Sequence, residues 1–118
     1  MKVESVSNQG AFKATVSSKF AKNAERYYQK KFLPIQSDSF RRKIEQLEYY
    51  GSKDSVIMYT CQQNQNQRQH MLYLKNETIN AKQGVILKVS DKYNEILRYF
   101  QSLTAEIIED AEDILAQK

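Results

Sequence analysis

The last thirty residues of the chain carry an apolar pattern with the period of an α-helix. Successive members of one stripe are separated alternately by four and three residues: Tyr93, Leu97, Phe100, Thr104, Ile107, Ala111 and Ile114. Further apolar residues widen this stripe beyond the narrow seam of a coiled coil: Ile96, Leu103, Ile108 and Leu115. The pattern predicts a helix that several other elements surround, so the rest of the chain must supply a broad surface to cover it.

The length of this predicted helix leaves two alternatives open. Unbroken from Asp91 to Gln117, it would be about 40 Å long, whereas a compact domain of this size is roughly 35 Å across. The helix therefore either projects beyond its domain or breaks. The segment 102–104 is the natural place for a break, because Ser102 and Thr104 both have hydroxyls that can cap a new helix.

Two other regions favour β-strands. Residues 2–7 and 11–16, joined by a turn at 8–10, predict an N-terminal hairpin, because the Asn and Gly of that turn tolerate positive φ angles. Residues 55–89 are rich in β-forming side chains and predict a central antiparallel meander. The polar run 62–69 inside the meander predicts an extended hairpin with a solvated tip.

Two shorter helices are predicted between these regions. The first covers residues 19–32 and ends before Pro34, because the residue preceding a proline is pushed out of the α region. The second follows possible caps at 37–39, has a buried stripe of Phe40, Ile44 and Leu47, and runs to about Tyr50, with Gly51 as its stop. Together these elements predict an α+β fold with a small antiparallel sheet (N-terminal hairpin plus central meander), two short helices and a long C-terminal helix. We expect residues 1–118 to form a single domain.

Patterns typical of catalysis or metal binding are weak. Cys61 and His70 would be neighbours if they lay on paired strands, but two half-buried residues of a hairpin are the commoner explanation. One cysteine and one histidine are too few for a structural zinc site. Acidic residues cluster near the C-terminus and predict a solvated face: Glu106, Glu109, Asp110, Glu112 and Asp113. We therefore expect no enzymatic activity, no metal site and no cofactor.

The net charge of +4 is distributed unevenly, with positive and negative residues concentrated in different parts of the chain. Between Lys19 and Lys43 eight basic residues stand against two acidic ones, whereas from Thr104 onward five acidic residues stand against one lysine. The basic residues share one face of the first helix and open the second, with a tyrosine beside them: Lys19, Lys22, Arg26, Tyr27, Lys30, Arg41 and Arg42. This set predicts a nucleic-acid-binding face, and the alternative is an ordinary solvated helix surface.

The function that we expect first is protein interaction without catalysis, as an adaptor, a chaperone-like protein or a regulatory subunit. The partner, or a second copy in a homodimer, would bind through apolar residues of the terminal helix: Leu97, Phe100, Ile107 and Ile114. Nucleic-acid binding through the basic face is the alternative. A single cysteine and the lack of any apolar run of membrane-spanning length favour a cytoplasmic protein without a membrane partner.

Overall fold

The computed structural model describes residues 14–52, 54–78 and 80–117, and the side chains of these residues except 48 and 80–82. Within this part of the chain the fold is α+β, with four α-helices and a four-stranded sheet. The elements in chain order are β1 (Thr15–Val16), α1 (Ser18–Lys30), α2 (Pro34–Gln46), a 3₁₀ turn (Leu47–Tyr49), β2 (Ser55–Asn64), β3 (Gln67–Asn76), β4 (Asn80–Ser90), α3 (Tyr93–Gln101) and α4 (Ala105–Ala116). The predicted fold class is therefore confirmed.

The sheet has the strand order β1-β2-β3-β4. Strands β2, β3 and β4 pair antiparallel, as the predicted meander requires. The β2–β3 ladder continues through the polar run, with Asn64 opposite Gln67, so a turn of only two residues closes the hairpin. Residues 61–69 are all exposed, and this end of the hairpin forms a solvated ribbon. The predicted extended hairpin with a solvated tip is confirmed.

The predicted N-terminal hairpin lies outside the described residues as far as position 13. The end of its predicted second strand forms β1, which pairs parallel with β2 and places Thr15 opposite Val56. The sheet is therefore mixed rather than wholly antiparallel. The Ser17 N–H donates to the Ile57 carbonyl, and the Ser17 hydroxyl accepts from Phe20 N–H, so the chain passes directly from the sheet edge into α1.

Pro34 has a second role that the sequence prediction missed. It is the first residue of α2, which therefore begins before the caps predicted at 37–39. Proline suits the first turn of a helix, because it has no N–H to leave unpaired there and its φ is already helical. Lys31 and Phe32 link the two helices, and Phe32 adopts a left-handed φ of 57° and is 87% exposed.

The terminal helix breaks at residues 102–104, which settles the two alternatives that its length left open. Thr104 caps α4 by accepting a hydrogen bond from Ile107 N–H at 3.2 Å. Lys43 Nζ donates to the Leu103 carbonyl at 2.7 Å and so satisfies a backbone acceptor just beyond the end of α3. The break lets both helices pack on the sheet.

The buried side chains form one hydrophobic cluster between the helices and one face of the sheet. Ile57, Leu72 and Leu74 provide the sheet side of this core and are fully buried. Phe20, Phe40 and Phe100 meet at its centre, and their ring centroids are 4.7 to 5.7 Å apart in each pair. Alternate residues point to the opposite face, which we call the outer face: Met58, Met71, Tyr73 and Ile86.

A hydrogen-bonded joint ties α4 to the start of β2. The Glu112 carboxylate accepts from Ser52 N–H at 2.6 Å and from the hydroxyl of the fully buried Ser55. Gly51 has a left-handed φ of 64°, and a Cβ there would lie 2.7 Å from both Glu112 Oε2 and Ile108 Cγ2. Glycine is thus required at this joint for both its conformation and its small size.

Candidate ligand-binding groove

A groove of about 910 Å³ lies between α1 and the ribbon end of β2 and β3. Tyr93, the first residue of α3, lies at the same groove. We call this feature the aromatic groove, because Tyr27, Tyr59, His70 and Tyr93 contribute to its lining. It is built by residues from widely separated parts of the sequence.

Helix α1 supplies one wall. Its apolar stripe of Phe20, Ala24 and Tyr28 is buried in the core, which fixes the rotation of the helix about its axis. That rotation leaves Arg26 and Lys30 exposed at the groove. Tyr27, half-buried at the boundary between the core and the groove, has its ring 5.8 Å from that of Tyr28.

The sheet supplies the other wall. Tyr59 and Cys61 on β2, and Arg68 and His70 on β3, occupy alternate positions and therefore point to the face that the helices cover. Cys61 pairs directly with His70 across the two strands. A hydrogen bond of 2.7 Å joins the Tyr59 hydroxyl to His70 Nδ1, and the two rings stack at 6.0 Å.

The Tyr93 ring connects the two walls. Its centroid lies 5.2 Å from that of Tyr27, 5.3 Å from that of Tyr59 and 5.7 Å from that of His70. The first two contacts are edge-to-face, a favourable arrangement for aromatic rings. The Tyr93 hydroxyl is buried and has no hydrogen-bond partner among the residues that the structure describes.

The groove is electropositive. Three cationic side chains line it (Arg26, Lys30 and Arg68), and its lining includes no carboxylate among the described residues. Burial lowers the pKa of His70, Arg68 lowers it further, and Asp91 opposes them, so the imidazole is neutral at pH 7. Burial raises the pKa of Tyr59 to about 12, with smaller contributions from Cys61, so its hydroxyl stays protonated.

The structure brings together some of the predicted nucleic-acid-binding residues and separates others. Arg26, Tyr27 and Lys30 line the groove, and Lys19 and Lys22 are exposed earlier on the same helix. Arg41 instead pairs with Asp38 at 2.9 Å and with Glu25 at 3.8 Å. Arg42 is exposed on α2 and does not line the groove.

The predicted binding residues did not include the groove residues on the sheet and on α3, among them Tyr59, Arg68, His70 and Tyr93. Tyr59, Arg68 and His70 share one signal, alternation along β2 and β3, which places polar and aromatic side chains on the continuation of the core face. Using that signal requires the strand register, because Cys61 and His70 come together only through pairing.

Two of the four predicted partner-binding residues are buried in the core, and the other two are at least partly exposed. Leu97 and Phe100 are in the core, 2% and 0% exposed, and pack within this chain rather than at its surface. Ile107 is half-buried against the core, and Ile114 is 46% exposed. A partner can therefore reach Ile114 directly, but it cannot reach Phe100 unless the fold opens.

The cysteine and histidine are neighbours, as their pairing on adjacent strands would require, but His70 Nδ1 bonds to Tyr59. In the described part of the chain no three His, Cys, Asp or Glu side chains are grouped as metal ligands. Glu112, a member of the predicted solvated acidic face, is half-buried and hydrogen-bonded to Ser52 and Ser55.

The cationic side chains and aromatic rings that line the groove are together suited to binding an anion that carries a flat ring.

Comparison with protein-family models, with curated proteins and with solved structures found no match for this chain. Among the described residues, no helix combines the length and the apolar character needed to cross a bilayer.

Proposed function

We propose that this protein is a binding module without catalytic activity, and that it binds single-stranded nucleic acid in the aromatic groove. The observation that carries the proposal is the combination of three cationic side chains with tyrosine and histidine rings in one groove. Arginine and lysine neutralise phosphates, and aromatic rings stack on unpaired bases. Lys19 and Lys22 extend the positive charge along α1 beyond the groove.

The position of the rings favours a single strand over a duplex. Tyr27, Tyr59 and Tyr93 are all half-buried in the groove rather than standing out from a convex surface. In a duplex the base faces are stacked on one another, so recessed rings of this kind cannot reach them. A single strand can turn a base inward while its phosphates remain near Arg26, Lys30 and Arg68.

The experiment is fluorescence anisotropy of short labelled single-stranded and double-stranded oligonucleotides at about 50 and 200 mM salt. Three phosphate contacts predict that single-strand affinity falls roughly 20-fold over this range, from a slope of about −0.7 per contact. Preference for the duplex, or affinity without salt dependence, would count against the proposal.

A charge-matched pair of variants locates the binding surface. Arg26→Glu with Lys30→Glu reverses two charges in the groove and is expected to abolish binding. Arg41→Glu with Arg42→Glu reverses the same number on α2, outside the groove, and is expected to leave most of the binding intact. Equal losses in the two variants would mean that general positive charge, rather than the groove, attracts the oligonucleotide.

Protein binding remains a second candidate function, as an adaptor, chaperone-like or regulatory subunit. The observation that favours it is the apolar outer face, where Ile86 is 56% exposed, together with Ile114 on α4. Sedimentation equilibrium tests self-association, and Ile86→Asp and Ile114→Asp would identify which surface is used.

We propose a cytoplasmic location for either function, since a single cysteine suits a reducing compartment.

A further inference from the structure

We infer that the aromatic groove is a nucleotide subsite, which holds one phosphate among Arg26, Lys30 and Arg68 and one base against the tyrosine rings. This inference rests on the proposed function and deepens it, because it names the unit that is recognised. It also makes a separate claim, namely that a free nucleotide is sufficient to occupy the groove.

The size of the groove suits such a ligand. Its volume of about 910 Å³ falls near the upper end of the usual range for small-molecule sites. A nucleoside phosphate therefore fits with room for the chain to continue on either side. An open groove of this kind can also accept the same unit as part of a longer strand.

The sign of the charge selects the class of ligand. Rings grouped like Tyr27, Tyr59 and Tyr93 can also form a cage for a quaternary ammonium or a methylated lysine. Three cations at the groove, with no carboxylate among its described lining residues, would repel such a ligand. A phosphate is attracted by the same charges, and a base supplies the flat surface that the rings can stack on.

The rings on the sheet side are held in place before any ligand arrives. Tyr59 stacks on the buried Phe20 at 5.4 Å and bonds to His70 Nδ1 at 2.7 Å. The Tyr93 ring packs edge-to-face against Tyr59, with their centroids 5.3 Å apart. A rigid ring costs little conformational entropy when a base stacks on it, so this wall is preorganised for binding.

Helix α1 provides the phosphate contacts together with β3. Arg26 and Lys30 are four residues apart and thus neighbours on the helix surface, while Arg68 extends from the facing strand. A phosphate between them would contact both walls at once. Arginine also offers paired N–H donors that match phosphate oxygens.

Cys61 provides a reporter inside the groove. It is the sole cysteine of the chain, it is exposed, and it lines the groove beside Tyr59 and Arg68. The experiment measures its alkylation rate by N-ethylmaleimide with and without adenosine 5′-monophosphate. Occupancy of most molecules predicts that alkylation slows about fivefold or more. Adenosine and inorganic phosphate, each tested alone, should protect much less at the same concentration.

Variants and a control separate the subsite from indirect effects. Arg68→Gln and Tyr27→Ala should each lose the protection, whereas Arg42→Gln, outside the groove, should keep it. Thermal melting of each variant verifies that it is folded. Unchanged alkylation at saturating nucleotide would overturn the subsite, and so would inorganic phosphate protecting as well as the nucleotide.

The same assay distinguishes this inference from the proposed function. If an oligonucleotide binds by anisotropy but does not protect Cys61, the strand lies elsewhere and the subsite is overturned while nucleic-acid binding stands. If the nucleotide protects Cys61 but no oligonucleotide binds, the subsite stands for free nucleotides and the proposed function falls. Protection by both supports both.

Discussion

Replacing Tyr93 by phenylalanine removes a single oxygen atom from a place where it has no hydrogen-bond partner among the described residues. The ring keeps its contacts with Tyr27, Tyr59 and His70, because all of these involve ring atoms. A hydroxyl hydrogen-bonds to water in the unfolded chain and loses that bond when it is buried unpaired. We therefore expect Tyr93→Phe to stabilise the fold.

The size of the effect follows from the cost of burying an unpaired polar group, about 1–3 kcal/mol. We take about 1 kcal/mol, the low end, because the substitution also leaves a small void. A chain of 118 residues has an unfolding entropy of roughly 0.25 kcal/mol per degree. The melting temperature should therefore rise by about 4 °C, which differential scanning calorimetry resolves easily.

Tyr28→Phe is a matched control, since it removes the same atom from a neighbouring tyrosine. The Tyr28 hydroxyl has a partner, because Gln101 Nε2 donates to it at 2.8 Å. Its loss should cost about 1 kcal/mol and lower the melting temperature by a similar amount. Opposite signs for the two variants support the reasoning, whereas a lower melting temperature for Tyr93→Phe would refute it.

Three further perturbations test other parts of the fold. Gly51→Ala should destabilise by about 2 kcal/mol or more in urea unfolding, because φ is left-handed and the new Cβ meets Ile108; a neutral result would contradict the close packing. Lys43→Met should cost about 1 kcal/mol, since it removes the bond to the Leu103 carbonyl; an unchanged urea midpoint would mean that water replaces it. His70 has a lowered pKa, so the unfolded state binds its proton more readily, and the melting temperature should fall as the pH drops below about 6.5. His70→Gln should make that fall smaller, and an identical fall in the variant would exclude His70 as its source.

The helices and the meander could be predicted because their signals are local. The place of the break after α3 is an example, since the hydroxyls of Ser102 and Thr104 marked it locally, although the sequence left open whether the helix breaks at all. The burial of Leu97 and Phe100 could not be decided in the same way. A periodic apolar stripe has the same appearance whether it covers the protein's own sheet or a partner.

The start of α2 shows that a proline can both end one helix and begin the next. Pro34 correctly ended the first helix in the prediction, but the same geometry also opens the next. The groove is a different case, because Arg26 and Arg68 are far apart in sequence and meet only through the packing of α1 on the sheet. The part of the site on α1 was therefore predictable from helical spacing, whereas Arg68 and the rings on the strands required the strand register.

The solvated ribbon at residues 61–69 gives the two walls of the groove unequal mechanical support. Helix α1 is anchored by the core, whereas Cys61 and Arg68 lie where both strands are exposed and the ladder alone holds them. Amide hydrogens in such a segment exchange through small local openings, independently of global unfolding. Hydrogen exchange should therefore be faster in the ribbon than in the core part of β2 and β3. A ligand that bridges Arg26 and Arg68 would clamp the ribbon to the helix, and slower exchange at the hairpin tip would record its arrival.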